Sequence, residues 1–230
     1  MLANRMMMGA AGVGVNVYDA NTMLMLHMDG SDGSTNFVDS TYQHTITAIA
    51  DAQIDTAATD AFGGHAGVGL FDGTGDCLSV PTSVQFDFGT GNWTFDFRFN
   101  TDTVAAGVND GLFTIEAGTE TTLSTWVSTD KIVVKVNNVE LYITISASTW
   151  YHLAIVRNGN TVTAYLGGTA DATTWDVTGI SFNDNNAGMH IAGYATAGTY
   201  VLDGMLDEFR VSNIARWTSN FTPPSSPYTS

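Results

Sequence analysis

Hydrolysis of a glycosidic bond requires two carboxylates facing one bond, an acid and a nucleophile or base. The chain has four glutamates, Glu116, Glu120, Glu140 and Glu208. Only Glu116 and Glu120 are spaced to meet across a turn, and carboxylates at strand edges are normally solvated. Cys77 and His152 could supply a thiol–imidazole pair, but a single cysteine between Asp76 and Leu78 is the pattern of a side chain that fills space. The five histidines, His27, His44, His65, His152 and His190, lack zinc-ligand spacing. His27 and His152 alternate with apolar residues and read as structural. These residues predict a protein that is not an enzyme.

Binding chemistry is better supplied. A saccharide site combines an aromatic platform with amide and carboxylate groups on loops or on one face of a sheet. Trp126, Trp175, Asp184, Asn185, Asn186 and Tyr194 are the candidates, with Asn183 and Tyr200 in similar polar stretches. Asp207 shares strand parity with Phe209 and Val211, so a core-facing Phe209 would push a carboxylate toward poorly hydrated surroundings where it must find a partner. A cation would serve, as would backbone amides or Arg210.

The groups that position these residues are β-strands. In Trp93-Thr94-Phe95-Asp96-Phe97-Arg98-Phe99 every aromatic falls on one face, the signature of a strand with one buried side. Asn137-Asn138 joins strands over residues 131–136 and 139–145, and Asn158-Gly159-Asn160 joins 151–157 to 161–166, because tight hairpin turns favour residues that tolerate positive φ. That predicts four consecutive antiparallel strands. Others are expected over residues 23–28, 67–72, 77–80, 112–116, 123–128, 189–192 and 205–211, a spacing typical of a sandwich or barrel. Pro223, Pro224 and Pro227 keep the end of the chain out of a central strand.

Composition narrows the function classes. With 23 Asp and Glu against 7 Lys and Arg, the formal net charge is −16, which disfavours nucleic acid as a partner. Hydrophobic residues make up 44% of the 230, enough for one sizeable core. A single cysteine forms no intrachain disulfide. No segment reads as a membrane-spanning helix. The first 17 residues resemble a secretory leader only weakly.

Several motifs, in order, resemble the laminin G-like, concanavalin A-like lectin/glucanase domains of bacterial surface and phage structural proteins. They are Leu24-Met25-Leu26-His27-Met28-Asp29-Gly30, then Phe37-Val38-Asp39-Ser40, then Leu70-Phe71-Asp72-Gly73-Thr74-Gly75-Asp76-Cys77-Leu78-Ser79-Val80-Pro81, where Cys77 replaces an aromatic residue. Phe88 to Phe97 and Trp150 to Arg157 continue the match, and Leu202 to Ser212 with Ala215 to Pro224 close it. The resemblance implies an all-β jelly roll of two antiparallel sheets, with first and last strands adjacent and a glycan-binding concave face. The catalytic E-x-D-x-E pattern of its glucanases is absent. It also implies a structural Ca²⁺ beside the last strand, held by Asp29, Asp72 and Asp207 with backbone carbonyls.

The expected organisation is an N-terminal arm over residues 1–21, a sandwich over 22–215 and a surface tail over 216–230. Met6, Met7, Met8 and Val13 form an apolar stretch suited to a partner surface, either another copy or a neighbouring virion or surface protein. The expected function is a structural or adhesion protein of a phage virion, displaying a lectin-like sandwich that binds glycans. The alternative is a secreted bacterial carbohydrate-binding module.

Overall fold

The computed structural model describes residues 19–105, 109–115, 123–136, 139–183, 188–193 and 200–229. Its 15 strands, in chain order, are β1 (Thr22–Leu26), β2 (Thr47–Ile49), β3 (Gln53–Asp55), β4 (Val68–Asp72), β5 (Cys77–Val80), β6 (Trp93–Thr101), β7 (Asn109–Ile115), β8 (Leu123–Ser128), β9 (Lys131–Val136), β10 (Val139–Thr144), β11 (Tyr151–Asn158), β12 (Thr161–Leu166), β13 (Thr169–Asp176), β14 (Met189–Ile191) and β15 (Asp203–Ser212). They form two antiparallel sheets. The eight-stranded sheet runs β13-β12-β11-β6-β15-β4-β3, with β1 also paired to β15; the seven-stranded sheet runs β10-β9-β8-β7-β14-β5-β2.

Alternation builds the core between the layers. Trp93, Phe95, Phe97 and Phe99 on β6 and Leu206, Phe209 and Val211 on β15 meet Phe113, Ile132, Val134 and Ile191 from the other sheet. Phe95 stacks on Phe113 and Phe97 on Phe209, with ring centroids 5.2 Å apart in each pair. Each fully buried aromatic ring contributes roughly 1.5–3 kcal/mol relative to exposure. Arg157 continues the inward parity at the end of β11 and caps this core. Its guanidinium donates to the carbonyls of Gly159, Gly89, Ile180 and Val177, and lies 5.3 Å from the Phe182 ring centre.

Three expectations change. The two hairpins do not form one run of four strands: β9–β10 belongs to the seven-stranded sheet and β11–β12 to the eight-stranded one. Residues 145–150 carry the chain between layers, with the Ile145 amide donating to Asp130 O and the Ser148 amide to Thr101 O. Second, β15 is bulged. Asp207 pairs with Arg98 and Arg210 with Asp96, so three steps on β15 oppose two on β6, and Glu208 takes φ 52°. Leu206 and Phe209 therefore both face the core, and Asp207 shares the outer side with Arg98. Third, β2, β3 and β13 were not expected from the pattern, being very short or rich in Thr, Ala and Asp.

Residues 213–229 cross the outer face of the eight-stranded sheet. Trp217 stacks on Phe221 with centroids 4.0 Å apart, and both pack with Ala154, Val156 and Tyr165. Gly168 permits this close approach: a Cβ there would lie 2.0 Å from the Phe221 carbonyl oxygen. Among the described residues no helix is long and apolar enough to cross a membrane.

Candidate functional site

The outer face of the seven-stranded sheet carries a groove of about 280 Å³ lined by Asn109, Trp126, Lys135, Glu140 and Tyr200. The first four come from consecutive strands β7, β8, β9 and β10 and share a face because of register. Trp126 pairs with Val133 and Val133 with Tyr142; Ser124 pairs with Lys135 and Lys135 with Glu140. The intervening residues Leu123, Val127, Ile132, Val134 and Leu141 belong to the core, which places the groove residues outward. Gly111, opposite Trp126, adds no side chain to the floor, and its amide donates to Tyr200 O, fixing that residue over the rim at φ 47°. Tyr142 is 55% exposed, and its hydroxyl donates to Glu140 Oε2 at 2.5 Å. The wall thus combines aromatic rings, an amide, an ammonium and a carboxylate, the chemistry that stacks on and hydrogen-bonds to a polyhydroxylated ring.

The opposite sheet also concentrates polar groups, but they are sealed. Arg210 donates twice to Asp96, at 3.1 and 3.0 Å, and lies 3.9 Å from the Tyr228 ring centre. His152 Nε2 contacts the Tyr228 hydroxyl at 2.9 Å. Burial opposes ionisation of Asp96, yet the Arg210 guanidinium and His152 hold its carboxyl down at about 2. Burial pushes the Tyr228 hydroxyl well up. With the chain over it, this cluster is a clamp.

A second buried acidic group lies where β15 meets the loops after β1 and β3. Asp207 accepts from the Ala61 amide at 3.2 Å. Burial and the charge of Glu208 push its carboxyl up to about 7; the amide offsets part of this, while Asp29 and Asp60 add to it. Glu208 accepts from the Tyr228 amide and contacts His27 Nδ1, each at 2.6 Å. Desolvation lowers the His27 pKa, but Glu208 more than reverses it.

The structure sorts the expected residues. Trp126 lines the groove. Trp175 is core, 5% exposed, with its indole N–H donating to Val139 O. Asp184, Asn185, Asn186 and Tyr194 lie outside the described residues, as do Met6, Met7, Met8 and Val13, Glu116 and Glu120, and the Asn137-Asn138 turn. Asp29 and Asp207 are neighbours, but Asp72 pairs with Asp203, four residues from Asp207 and so about 13 Å along the strand. Asp29, Asp72 and Asp207 therefore do not converge on one ion. Asp72 instead meets Asp51 and Asp76, with ligand atoms within 4.8 Å of one another, and Asp76 already accepts the amides of Asp51 and Asp72. Cys77 is buried on β5, in the sheet opposite His152. Asn109, Lys135 and Glu140 were not singled out by sequence reasoning; the parity of β8 and the 136/139 hairpin would have placed Lys135 and Glu140 beside Trp126.

Residues 72–219 match the family model described as the concanavalin A-like lectin/glucanases superfamily. No curated protein sequence matches the chain. Among solved structures, the botulinum neurotoxin serotype D ligand-binding domain in complex with N-acetylneuraminic acid superposes with TM-score 0.61 at 13% identity, covering 87% of this chain and 48% of that one. Domain 4 of AbnA, an extracellular GH43 arabinanase of Geobacillus stearothermophilus in complex with arabinotriose, gives 0.59 at 16%, covering 85% and 93%. A mutant Trypanosoma rangeli sialidase with trans-sialidase activity gives 0.64 at 12%, covering 89% and 32%. This chain spans about half the length of the botulinum neurotoxin domains it matches. At these identities the likeness is one of fold.

Proposed function

The chain belongs to the concanavalin A-like lectin/glucanase superfamily, and from that premise we propose that it is a non-enzymatic carbohydrate-binding module whose site is the groove on the seven-stranded sheet. The observation that carries this reading is the setting of Trp126, half-buried in a groove with Asn109, Lys135, Glu140 and Tyr200. The neighbours holding arabinotriose and N-acetylneuraminic acid support a saccharide as the ligand class. Glu140 is the one carboxylate among the groove's described lining residues, whereas hydrolysis needs a pair. The sialidase neighbour shows that the fold also occurs in enzymes. A glycan array followed by calorimetry tests the proposal: the wild type binds at least one saccharide and Trp126→Ala loses that binding with an unchanged melting temperature. Equal binding by both proteins would refute it.

The setting of the module is an extracellular surface or a virion, with residues 1–21 as the attachment to other copies or to neighbouring structural proteins. Sedimentation of the full chain and of a form lacking residues 1–20 tests this part. A defined oligomer that becomes a monomer on truncation supports a structural subunit. Monomers in both cases favour a secreted bacterial module.

A further inference from the structure

We infer that the ligand of this groove is a stretch of neutral polysaccharide lying across the strands, with one ring-binding position at Trp126 and a second at Tyr142. The inference rests on the carbohydrate-binding reading and adds the class and direction of the ligand.

Two parallel rows cross the outer face. One is aromatic, Trp126–Val133–Tyr142, and the other polar, Ser124–Lys135–Glu140, each aligned by direct cross-strand pairing on β8, β9 and β10. The rows are two residues apart along the strands, about 7 Å, while Trp126 and Tyr142 are two strand spacings apart, about 10 Å. That separation exceeds one sugar ring. A ligand following the aromatic row would rest its apolar faces on Trp126 and Tyr142 while its hydroxyls reach the polar row. Val133, between them in the row, is 1% exposed and lies outside the inter-sheet core. The Tyr142 hydroxyl is tied to Glu140, which couples the second position to the polar row.

The ends of the row favour an internal stretch over a terminal sugar. β10 is the edge of its sheet, so among the described residues no further strand closes the groove beyond Tyr142. At the other end Tyr200, 61% exposed, stands beside Trp126. Charge selects against acidic chains. Lys135 faces Glu140 directly across the strands, so the polar row carries opposite charges side by side, on a protein whose formal net charge is −16. A polyanion would gain one ammonium and meet the field of the whole molecule.

Calorimetry with cello-, xylo-, manno- and arabino-oligosaccharides of one to six units, and with oligogalacturonate, tests this on the wild type, Trp126→Ala, Tyr142→Ala and Tyr142→Phe. For the series that binds, affinity should climb with length. Tyr142→Ala should lower it about tenfold for the longest member, the upper range of one aromatic contact, and leave the shortest binder unchanged; Tyr142→Phe should retain most of the gain. Trp126→Ala should weaken every length. Affinity that is flat with length, a Tyr142→Ala loss equal at all lengths, or preference for oligogalacturonate overturns the inference while leaving the carbohydrate site standing. Failure of every probe to bind overturns both.

Discussion

Replacing Asp207 with Asn should make the protein more stable at alkaline pH and change it little at acid pH. Asp207 is 2% exposed and faces Glu208, Asp29 and Asp60, with His27 bound to Glu208 and Arg98 as its partner across β6. Its carboxyl is raised from 3.8 to about 7, first by burial and then by those neighbouring charges. A folded-state value above the unfolded one means that the fold holds the proton more tightly. The stabilisation is complete below the unfolded value and is lost as pH rises through about 7. Between pH 5 and that titration lie about two units, each worth about 1.4 kcal/mol, so the wild type loses about 3 kcal/mol that the Asn variant keeps. Asparagine retains an oxygen for the Ala61 amide, so its own packing cost stays small. Urea unfolding of both proteins at pH 5.0 and 8.5 measures the effect as a change in the stability difference. An identical difference at both pH values, or a variant relatively weaker at pH 8.5, would refute the reasoning.

Other perturbations follow from the same geometry. Arg157→Met removes a fully buried guanidinium that serves four carbonyls, the Val177 bond buried and the other three partly so, and should cost about 3–5 kcal/mol in urea unfolding; a cost below about 1 kcal/mol would mean that water replaces the guanidinium. Asp96→Ala strands the Arg210 charge and should cost about 3–5 kcal/mol at neutral pH. Because the Asp96 carboxyl is held at about 2, its contribution in the wild type persists above the ordinary 3.8 and disappears only as pH falls through about 2. Gly204→Ala would set a Cβ 2.2 Å from the Asn100 carbonyl oxygen at φ 151°, and a melting temperature within a degree of wild type would contradict that clash.

Much of the sandwich was legible because burial on one face writes alternation into a strand. β6, β8, β9, β11 and β12 carry that pattern and lie where it predicts. The layer to which each hairpin belongs was not legible, since a turn fixes only the pairing of its own two strands. The bulge at Glu208 was equally hidden: nothing in Leu206-Asp207-Glu208-Phe209 marks the extra residue, yet it moves Asp207 to the other face. For the site, Trp126 stood out as an aromatic in a polar stretch, and so did Trp175, which the fold spends in its core. Asn109, Lys135 and Glu140 become neighbours only through cross-strand register, and that information lies between segments.

Residues 19–21 meet residues 213–216 on one side of the sandwich. The Asn213 amide donates to Asn21 O and Arg216 pairs with Asp19 at 3.0 Å, both on the sheet that residues 213–229 cover. The two broad surfaces therefore divide their labour: one is consumed by the molecule's own closure, and the other faces away from it with the groove. A support that grips the protein near Asp19 or Arg216 would hold it by its back, leaving Trp126 and Tyr142 turned toward the medium. Many copies fixed this way would present their grooves in the same direction, so that weak single contacts with a long chain add up.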